Sequence, residues 1–268
     1  MFKEHDVFKR PYNENAIIWR YMDFPKFIYL LDHSALFFCR ADKLGDPFEG
    51  SYTKPLASKL PGKDDEFFQS INDKEAALQM RMQSLKRESQ VRKWFSRFTF
   101  VNCWHLSENE SAAMWRLYLK SGEGVAIKST FNKLKDCFLS ERRDINIGRV
   151  EYVDYDNYEW PLENYFYPFL HKRKSFKHEE ELRAIIAEFP RVKEVETKPG
   201  AKRLTTNLSR PPFRDGVKAK VDLNMLINEI YIAPTSPKWQ HKLIKSLLRK
   251  YKLDKEVYHS KLDDKAIF

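Results

Sequence analysis

Residues 99–128 place the tightest limit on the fold, because their hydrophobic period changes twice within one short stretch. The apolar run over 100–106 predicts a buried strand, and the run over 125–127 predicts a second strand that returns. Between the two runs, Trp115 and Tyr118 lie at the spacing of one helix face. We therefore expect strand, helix and strand to pack closely, with an aromatic helix against a sheet.

The aromatic pair Trp115 and Tyr118 has two interpretations. Aromatic residues at helical spacing can simply pack into a core. An aromatic pair at the mouth of a cleft would instead stack on a flat ligand. The helix that carries them is expected to begin at a cap formed by Ser107 or Asn109 and to end at Gly122.

The other predicted elements alternate without a steady β–α–β rhythm, which favours an α+β fold over a doubly wound parallel sheet. We expect a mixed, largely antiparallel sheet with flanking helices. The chain lacks the GxGxxG and GxxxxGK[ST] phosphate-binding patterns, so neither a Rossmann nor a P-loop fold is supported. Predicted strands lie at 16–21, 36–40, 147–153, 184–187, 229–233 and 255–260, and predicted helices at 24–33, 131–139, within 162–176 and at 237–251.

The chain length is compatible with one domain, residues 1–268. Within it, residues 64–97 lack glycine and are rich in helix formers, which predicts an inserted helical segment. Residues 191–220 are basic and interrupted by prolines, and we expect a long hairpin or a mobile loop there. In the C-terminal helix, Ser236 is the expected cap. The predicted buried stripe of this helix consists of Trp239, Leu243, Ile244, Leu247, Leu248 and Tyr251.

Charge, cysteine content and hydrophobic runs indicate which partners and which cellular compartment to expect. The net charge of +10 would support salt-sensitive binding of nucleic acid or an acidic protein, although basic residues also serve solubility alone. Three cysteines without CxxC spacing favour a reducing cytoplasm over a disulfide scaffold. No apolar run approaches the ~20 residues of a membrane helix, so we expect a cytoplasmic protein without a membrane span.

A run of three glutamates, 179–181, precedes the apolar residues 184–187. In an extended chain Glu179, Glu181 and Arg183 share one face. They either neutralise one another or present a carboxylate to sugar hydroxyls, where it would also stabilise positive charge that develops on the sugar ring.

Two further positions allow binding or catalysis. Arg20 and Tyr21 end the first predicted strand, and the guanidinium of Arg20 either binds a phosphate or carboxylate or lies on an edge-strand surface. His105 lies at the end of the central strand and is either a general base or a hydrogen-bonded strand residue.

Asp42, Asp46 and Glu49 crowd one loop and allow a divalent metal, and with it a nuclease. Their spacing is not that of a calcium loop, and turn or salt-bridge roles fit them better. The seven histidines show no HExxH pattern and no pairing with cysteine, so no metal is expected.

Four sequence motifs, taken in their order along the chain, resemble those of a bacterial family of uncharacterised proteins, domain-of-unknown-function family 2971. That family shows an N-D-P-F-E loop, a C-F-S strand end, an M-W-x-x-Y helix and an E-x-E-W-R strand. The resemblance covers residues 17–234. It departs from the family pattern with Gly for Asn in the loop, Trp-His for Phe-Ser at the strand end, where Ser107 is displaced, and Leu for Trp in the last motif. The corresponding residues here are Gly45 to Glu49, Cys103 to His105, Met114 to Tyr118, and Glu179 to Arg183.

The order of elements also resembles ADP-ribosyltransferase-like folds, which include toxins and phage-defence effectors. The resemblance implies NAD as co-substrate, with Arg20, aided by Tyr21, holding its phosphate or ribose. Tyr118, or Trp115, would stack on the nicotinamide. Glu181, or Glu179, would orient the ribose with Arg183 beside it.

A second hypothesis is a non-catalytic module that binds nucleic acid or another protein. The basic residues of 81–97 and 191–220 motivate it, and it predicts binding that weakens steeply with salt.

Overall fold

A central mixed sheet organises the molecule and contains nine strands in the part of the chain that the structure describes. This computed structural model describes residues 1–59, 70–71, 73–119, 122–189, 193–198, 201–205, 215–264 and 266, with backbone alone at 81, 85, 193–198 and 201–205. The strands are β1 (Ile17–Asp23), β2 (Ala35–Arg40), β3 (Thr99–Leu106), β4 (Gly124–Thr130), β5 (Asn146–Arg149), β6 (Glu151–Val153), β7 (His171–Arg173), β8 (Glu181–Ala187), β9 (Lys193–Lys198), β10 (Ala201–Thr205), β11 (Gly216–Lys220), β12 (Glu229–Ile232) and β13 (Glu256–His259).

Helices flank the sheet. The sheet order is β11-β2-β3-β1-β4-β12-β13, and β8 joins β3 to β5. Only β12 and β13 pair in parallel within this sheet, so the expected α+β fold with a mixed, largely antiparallel sheet is confirmed. The helices are α1 (Phe24–His33), α2 (Lys54–Lys59), α3 (Lys74–Arg97), α4 (Ala112–Tyr118), α5 (Phe131–Asp136), α6 (Tyr167–Leu170), α7 (Leu223–Leu226) and α8 (Lys238–Lys250).

The sheet splits beside β3, and this split positions the candidate site. One side of β3 pairs with β8 along its length, from Thr99 to His105. The other side changes partner, because β2 pairs only with Phe100 and Val101, whereas β1 pairs only with His105 and Leu106. Along its other edge β1 pairs with β4 over its whole length, from Ile17 to Asp23. Parallel strands β1 and β2 therefore diverge around the middle of β3.

Helix α1 connects the two diverging strands, and local sequence signals determine its ends. The Asp23 carboxylate accepts a hydrogen bond from Lys26 N at 2.9 Å, and Pro25 lies in the first turn. At the other end Ser34 adopts the left-handed conformation, with φ of 44°. The helix predicted over 24–33 is thus confirmed.

The face of α1 that points inward anchors this connection in the main core. Its buried Phe27 and Leu31 belong to the same apolar cluster as Phe38 of β2 and Ile244 of α8. Full burial of one such side chain stabilises the fold by ~1.5–3 kcal/mol. Helix α1 and strand β2, which form walls of the split, therefore share one apolar core.

The helix expected within 162–176 is much shorter than predicted. Only Tyr167–Leu170 is helical, and the chain then enters β7, which pairs in parallel with β6. Lys172 lies buried in β7, at 7% exposure, and not in a basic cluster at a helix end. The charge pattern misled the prediction because Lys172 is buried between two carboxyl groups, Glu179 seven positions later and Glu49 from a distant loop.

Two helix caps differ from expectation. Helix α4 is capped by Ser111, whose hydroxyl accepts from Met114 N, because residues before it form a turn in which the Ser107 hydroxyl donates to Asn109 O. At α8 the cap is Pro237, and the Ser236 hydroxyl instead donates to Gly122 O at 2.9 Å.

The buried stripe predicted for α8 is confirmed at Ile244 and Leu248, and Leu247 and Tyr251 pack against the same core. Gln240, Ile244 and Leu248, at i, i+4 and i+8, face the core, whereas Trp239 is 53% exposed. Trp239 precedes Gln240 by one position, so it projects from a different side of the helix.

Two basic segments are described in part. Over 191–220, β9 and β10 form the expected antiparallel hairpin and β11 joins the main sheet, while 191–192, 199–200 and 206–214 lie outside the described residues. The helical segment predicted at 64–97 is observed as α3, with 64–69 and 72 outside them. Its status as an insertion in a single domain stays a prediction.

Among the described helices, none combines the length and the apolar character that crossing a bilayer requires. Cys39, Cys103 and Cys137 are all free thiols.

Candidate functional site

A cavity of about 650 Å³ occupies the split between β1 and β2. Its walls come from β1, α1, β2, the middle of β3, α4 and the first residue of β8. Pockets for small molecules and cofactors typically enclose ~300–1,000 Å³, so the cavity has the size of a ligand site.

The structure brings four of the seven predicted site residues to this cavity. Arg20 and Tyr21 line it from β1, Tyr118 from α4 and Glu181 from β8. Residues that are 60 or more positions apart in the sequence therefore share one wall, because β3 pairs with both β1 and β8.

Trp115 does not line the cavity. Of its two interpretations, packing into the core therefore fits the structure, and contact with a ligand in the cavity does not. The indole is 2% exposed, and its Nε1 donates to the Glu110 carboxylate at 3.0 Å. Its ring meets the Tyr21 ring edge-on at 4.9 Å. Trp115 sits inside because it faces the sheet, while Tyr118, one turn later, reaches the cavity.

Arg20 is the central cation of the cavity wall. Its Nη1 donates to the Cys103 carbonyl at 2.6 Å, across the gap where β1 leaves β3, and its guanidinium lies 5.9 Å from the Trp104 ring. No described carboxylate forms an ion pair with it. Burial lowers the pKa of Arg20, but a guanidinium remains charged in proteins. The remaining donors of Arg20 suit an anionic ligand.

The rim adds rings and charge. Tyr29 and Phe37 line the cavity and are each 37% exposed, and Lys26 and Lys43 line it as well. Lys26 is paired with Asp23 at 3.0 Å. Burial raises the pKa of the half-buried Tyr118 phenol, which therefore stays a neutral hydroxyl.

Glu181 lies at the inner end of the cavity and is oriented by Arg183, two residues later on β8. Arg183 donates to the Glu181 carboxylate through Nε at 2.8 Å and approaches it through Nη2 at 2.6 Å. Arg183 also donates twice to Glu49, at 2.8 and 2.7 Å, and once to the Phe169 carbonyl. Arg183 is thus a positioning group behind the wall, not a part of the wall itself.

Lys172 and Glu179 complete this buried charge cluster. Lys172 Nζ lies 2.7 Å from Glu179, 3.7 Å from Glu49 and 3.9 Å from Glu181. Three carboxyl groups thus share two cations, so the cluster balances when one carboxyl is protonated.

The protonation pattern follows from the neighbours of each carboxyl. Burial and the Glu181 charge raise the pKa of Glu179, despite Lys172. Although burial opposes ionisation of Glu181, the charges of Arg183 and Lys172 hold the pKa of Glu181 below its ordinary value. The interaction between the two carboxyls acts in opposite directions on them, raising the pKa of Glu179 and lowering the pKa of Glu181.

Glu179 does not lie in an extended strand as expected. It ends the 3₁₀ turn Lys174–Glu179, and Glu180 then adopts the left-handed conformation with φ of 37°. The backbone N–H of Glu181 donates to the Tyr152 hydroxyl at 2.8 Å. This turn brings Glu179 and Glu181 into one cluster but leaves Glu179 off the cavity wall.

The acidic loop serves as salt-bridge partner, as the simpler sequence interpretation held. Asp42 pairs with Arg40, Asp46 with Arg173 at 2.8 Å, and Glu49 with Arg183. No group of three potential metal ligands occurs among the residues that the structure describes. Sequence reasoning missed that Glu49 and Lys172 support Glu181; the loop motif that ends in Glu49 was the available signal.

Comparison with known proteins finds no protein-family model, no curated protein and no solved structure that matches this chain. The resemblance to family 2971 therefore stays a prediction that rests on the motif residues themselves.

Proposed function

We propose that this protein transfers ADP-ribose from NAD, with Glu181 as the carboxylate that orients the nicotinamide ribose. The single observation that carries the proposal is the convergence of Arg20, Tyr118 and Glu181 on one cavity. The bacterial toxin or phage-defence setting, and membership of family 2971, are proposed with it from the motif resemblance.

Glu181 has the environment that this role needs. A buried carboxylate is only an acceptor, so it can hold a ribose hydroxyl and stabilise positive charge that develops on the ring. Arg183 fixes its orientation and favours its ionised form. Because the site is largely withdrawn from water, the attraction between this charge and an oxocarbenium-like ring is stronger than in solution.

The remaining wall suits the other parts of NAD. Arg20 donates to the Cys103 carbonyl alone among the described residues, which leaves donors for the pyrophosphate, and Lys43 on the rim adds charge of the same sign. Tyr118 offers a neutral ring for stacking on the nicotinamide, in the role assigned to it from the sequence.

The test is NAD binding and turnover by the parent and by Glu181→Gln. Calorimetry measures binding, and chromatography measures released nicotinamide. We expect Glu181→Gln to bind NAD but to release nicotinamide ~100-fold or more slowly, because it lacks the charge. Glu229→Gln is the matched control, since Glu229 is an ion-paired glutamate on β12 outside the cavity. Equal turnover by Glu181→Gln and the parent would refute the assignment.

The alternative function is binding of nucleic acid or an acidic protein. The observation in its favour is the exposure of Lys86, Arg87, Lys93 and Arg97 on α3. Arg92 does not contribute to this surface, because it packs 3.2 Å from the Tyr52 ring centroid and pairs with Glu88.

Fluorescence anisotropy with single-stranded oligonucleotides at two salt concentrations tests this alternative. Binding without NAD turnover, weakened by salt and by combined Lys86→Gln and Lys93→Gln substitutions, would support it. Salt-insensitive or absent binding would count against nucleic acid as the partner.

A further inference from the structure

His105 and Glu181 are direct partners in the pairing of β3 with β8. Residues directly opposite in an antiparallel pair project from the same face, with Cβ atoms ~4.5–5.5 Å apart. Both side chains line the cavity, and both residues are 5% exposed. An imidazole therefore lies beside the carboxylate assigned to the ribose.

Hydrogen bonding fixes the form of this imidazole. Nδ1 of His105 lies 2.7 Å from the backbone carbonyl of Glu179. A carbonyl only accepts, so Nδ1 carries the proton and, in the neutral ring, Nε2 is left with the lone pair. The Tyr21 ring packs edge-on against the imidazole at 6.2 Å and restricts its rotation.

Neither Glu181 nor Glu179 is suited to accept the proton of an acceptor substrate. The Glu181 carboxylate is hydrogen-bonded to Arg183, and Glu179 lies off the cavity wall with Lys172 against it. The lone pair of His105 Nε2 belongs to no hydrogen bond among the described residues.

We propose that His105 is the general base that deprotonates the acceptor, and that the acceptor is a hydroxyl compound or water; this inference rests on the proposed function. In the step, the bond between ribose C1′ and nicotinamide breaks and its electron pair stays on the nicotinamide nitrogen. The acceptor oxygen forms the new bond to C1′, and its proton passes to Nε2 of His105.

Nucleophiles with and without a proton separate this role from a structural one. Azide anion has no proton to lose, so its attack on C1′ needs no base, whereas attack by methanol or water does. The experiment measures nicotinamide release from saturating NAD with azide and with methanol, for the parent and for His105→Asn. The Asn amide can still donate to the Glu179 carbonyl but cannot take a proton.

We expect His105→Asn to slow release with methanol ~100-fold or more, and to release nicotinamide with azide at close to the parent rate and with the parent NAD affinity. His241→Asn is the matched control, because His241 bonds the Val257 carbonyl from α8, outside the cavity. His105→Gln repeats the test if the first variant is unstable.

Each other outcome is decisive. Equal slowing with both nucleophiles, or no slowing with either, overturns the base role while leaving the proposed function intact. A parent that releases no nicotinamide with any acceptor overturns the proposed function, and the base role with it.

Discussion

Glu49 and Arg183 form a two-pronged ion pair in which both guanidinium Nη atoms donate to the Glu49 carboxylate, at 2.8 and 2.7 Å. The partners are separated by 134 positions in the sequence and both side chains are almost fully buried. The pair connects the loop after β2 to the strand that carries Glu181. It holds the guanidinium that in turn orients Glu181.

Removing Glu49 should destabilise the whole fold. Glu49→Ala leaves a buried guanidinium with one carboxylate partner fewer, and such losses cost ~3–5 kcal/mol. Urea unfolding measures the free energy. Asp144→Ala is the control, because Asp144 and its partner Lys3 are each 63% exposed, and exposed pairs contribute ~0–1 kcal/mol. Equal effects of the two substitutions would contradict the structural role of Glu49.

Glu179→Gln should stabilise the protein at alkaline pH. Burial and then the Glu181 charge raise the pKa of Glu179 in the folded state. Folding therefore favours the protonated form, and this contribution is lost as the pH rises through the folded-state pKa. Glutamine is neutral at every pH, so the variant should exceed the parent in stability at about pH 8 and match it at about pH 4.

Urea midpoints at the two pH values check this prediction. Glu256→Gln, an exposed substitution on β13, should show no such pH dependence. A Glu179→Gln variant less stable than the parent at alkaline pH would mean that Glu179 is ionised and that its ion pair with Lys172 stabilises the fold.

Arg20→Lys should weaken NAD binding although it conserves charge. Lysine cannot reproduce the planar fork that donates to the Cys103 carbonyl and still offers donors to the cavity. A lost charge-assisted hydrogen bond corresponds to ~10-fold or more in the dissociation constant. Calorimetry measures the NAD affinity of Arg20→Lys and of the control Arg143→Lys. Arg143 is paired with Glu141 outside the cavity, so the comparison separates an effect at the site from a general effect of replacing arginine with lysine. Unchanged affinity would remove Arg20 from the site.

Gly50→Ala should be destabilising because Gly50 has φ of +71° and no room for a methyl group. An added Cβ would lie 2.7 Å from a ring carbon of Phe169 and 2.8 Å from the Ser96 hydroxyl. Overpacking of this kind costs ~1–3 kcal/mol. Gly45→Ala is the matched control, since nothing lies within 4 Å of its Cβ position. Thermal unfolding that shifts equally for both would contradict the prediction.

Local elements were predictable from the sequence wherever their signals lay within a few residues. The run from Phe24 to His33 predicts α1 with both ends correct, and the strands around β3 are predicted with small errors. Helix caps were less predictable, because Ser107, Asn109 and Ser111 are all suitable and only the turn before α4 selects among them. Burial of Lys172 had no signal in the basic run itself, since its nearest partner Glu179 is brought to it by the 3₁₀ turn and Glu49 comes from a distant loop.

The sequence by itself determined the class of fold, the elements on either side of β3 and the residue types available for a site. Tertiary structure alone decided that β3 exchanges β2 for β1, that a cavity opens at this exchange, and that Arg20, Tyr118 and Glu181 face it while Trp115 and Glu179 do not. The physical reason is the distance along the chain over which each kind of interaction acts. Helix and strand propensities act between near neighbours, whereas strand pairing and the sharing of buried charge are settled between residues far apart in the chain.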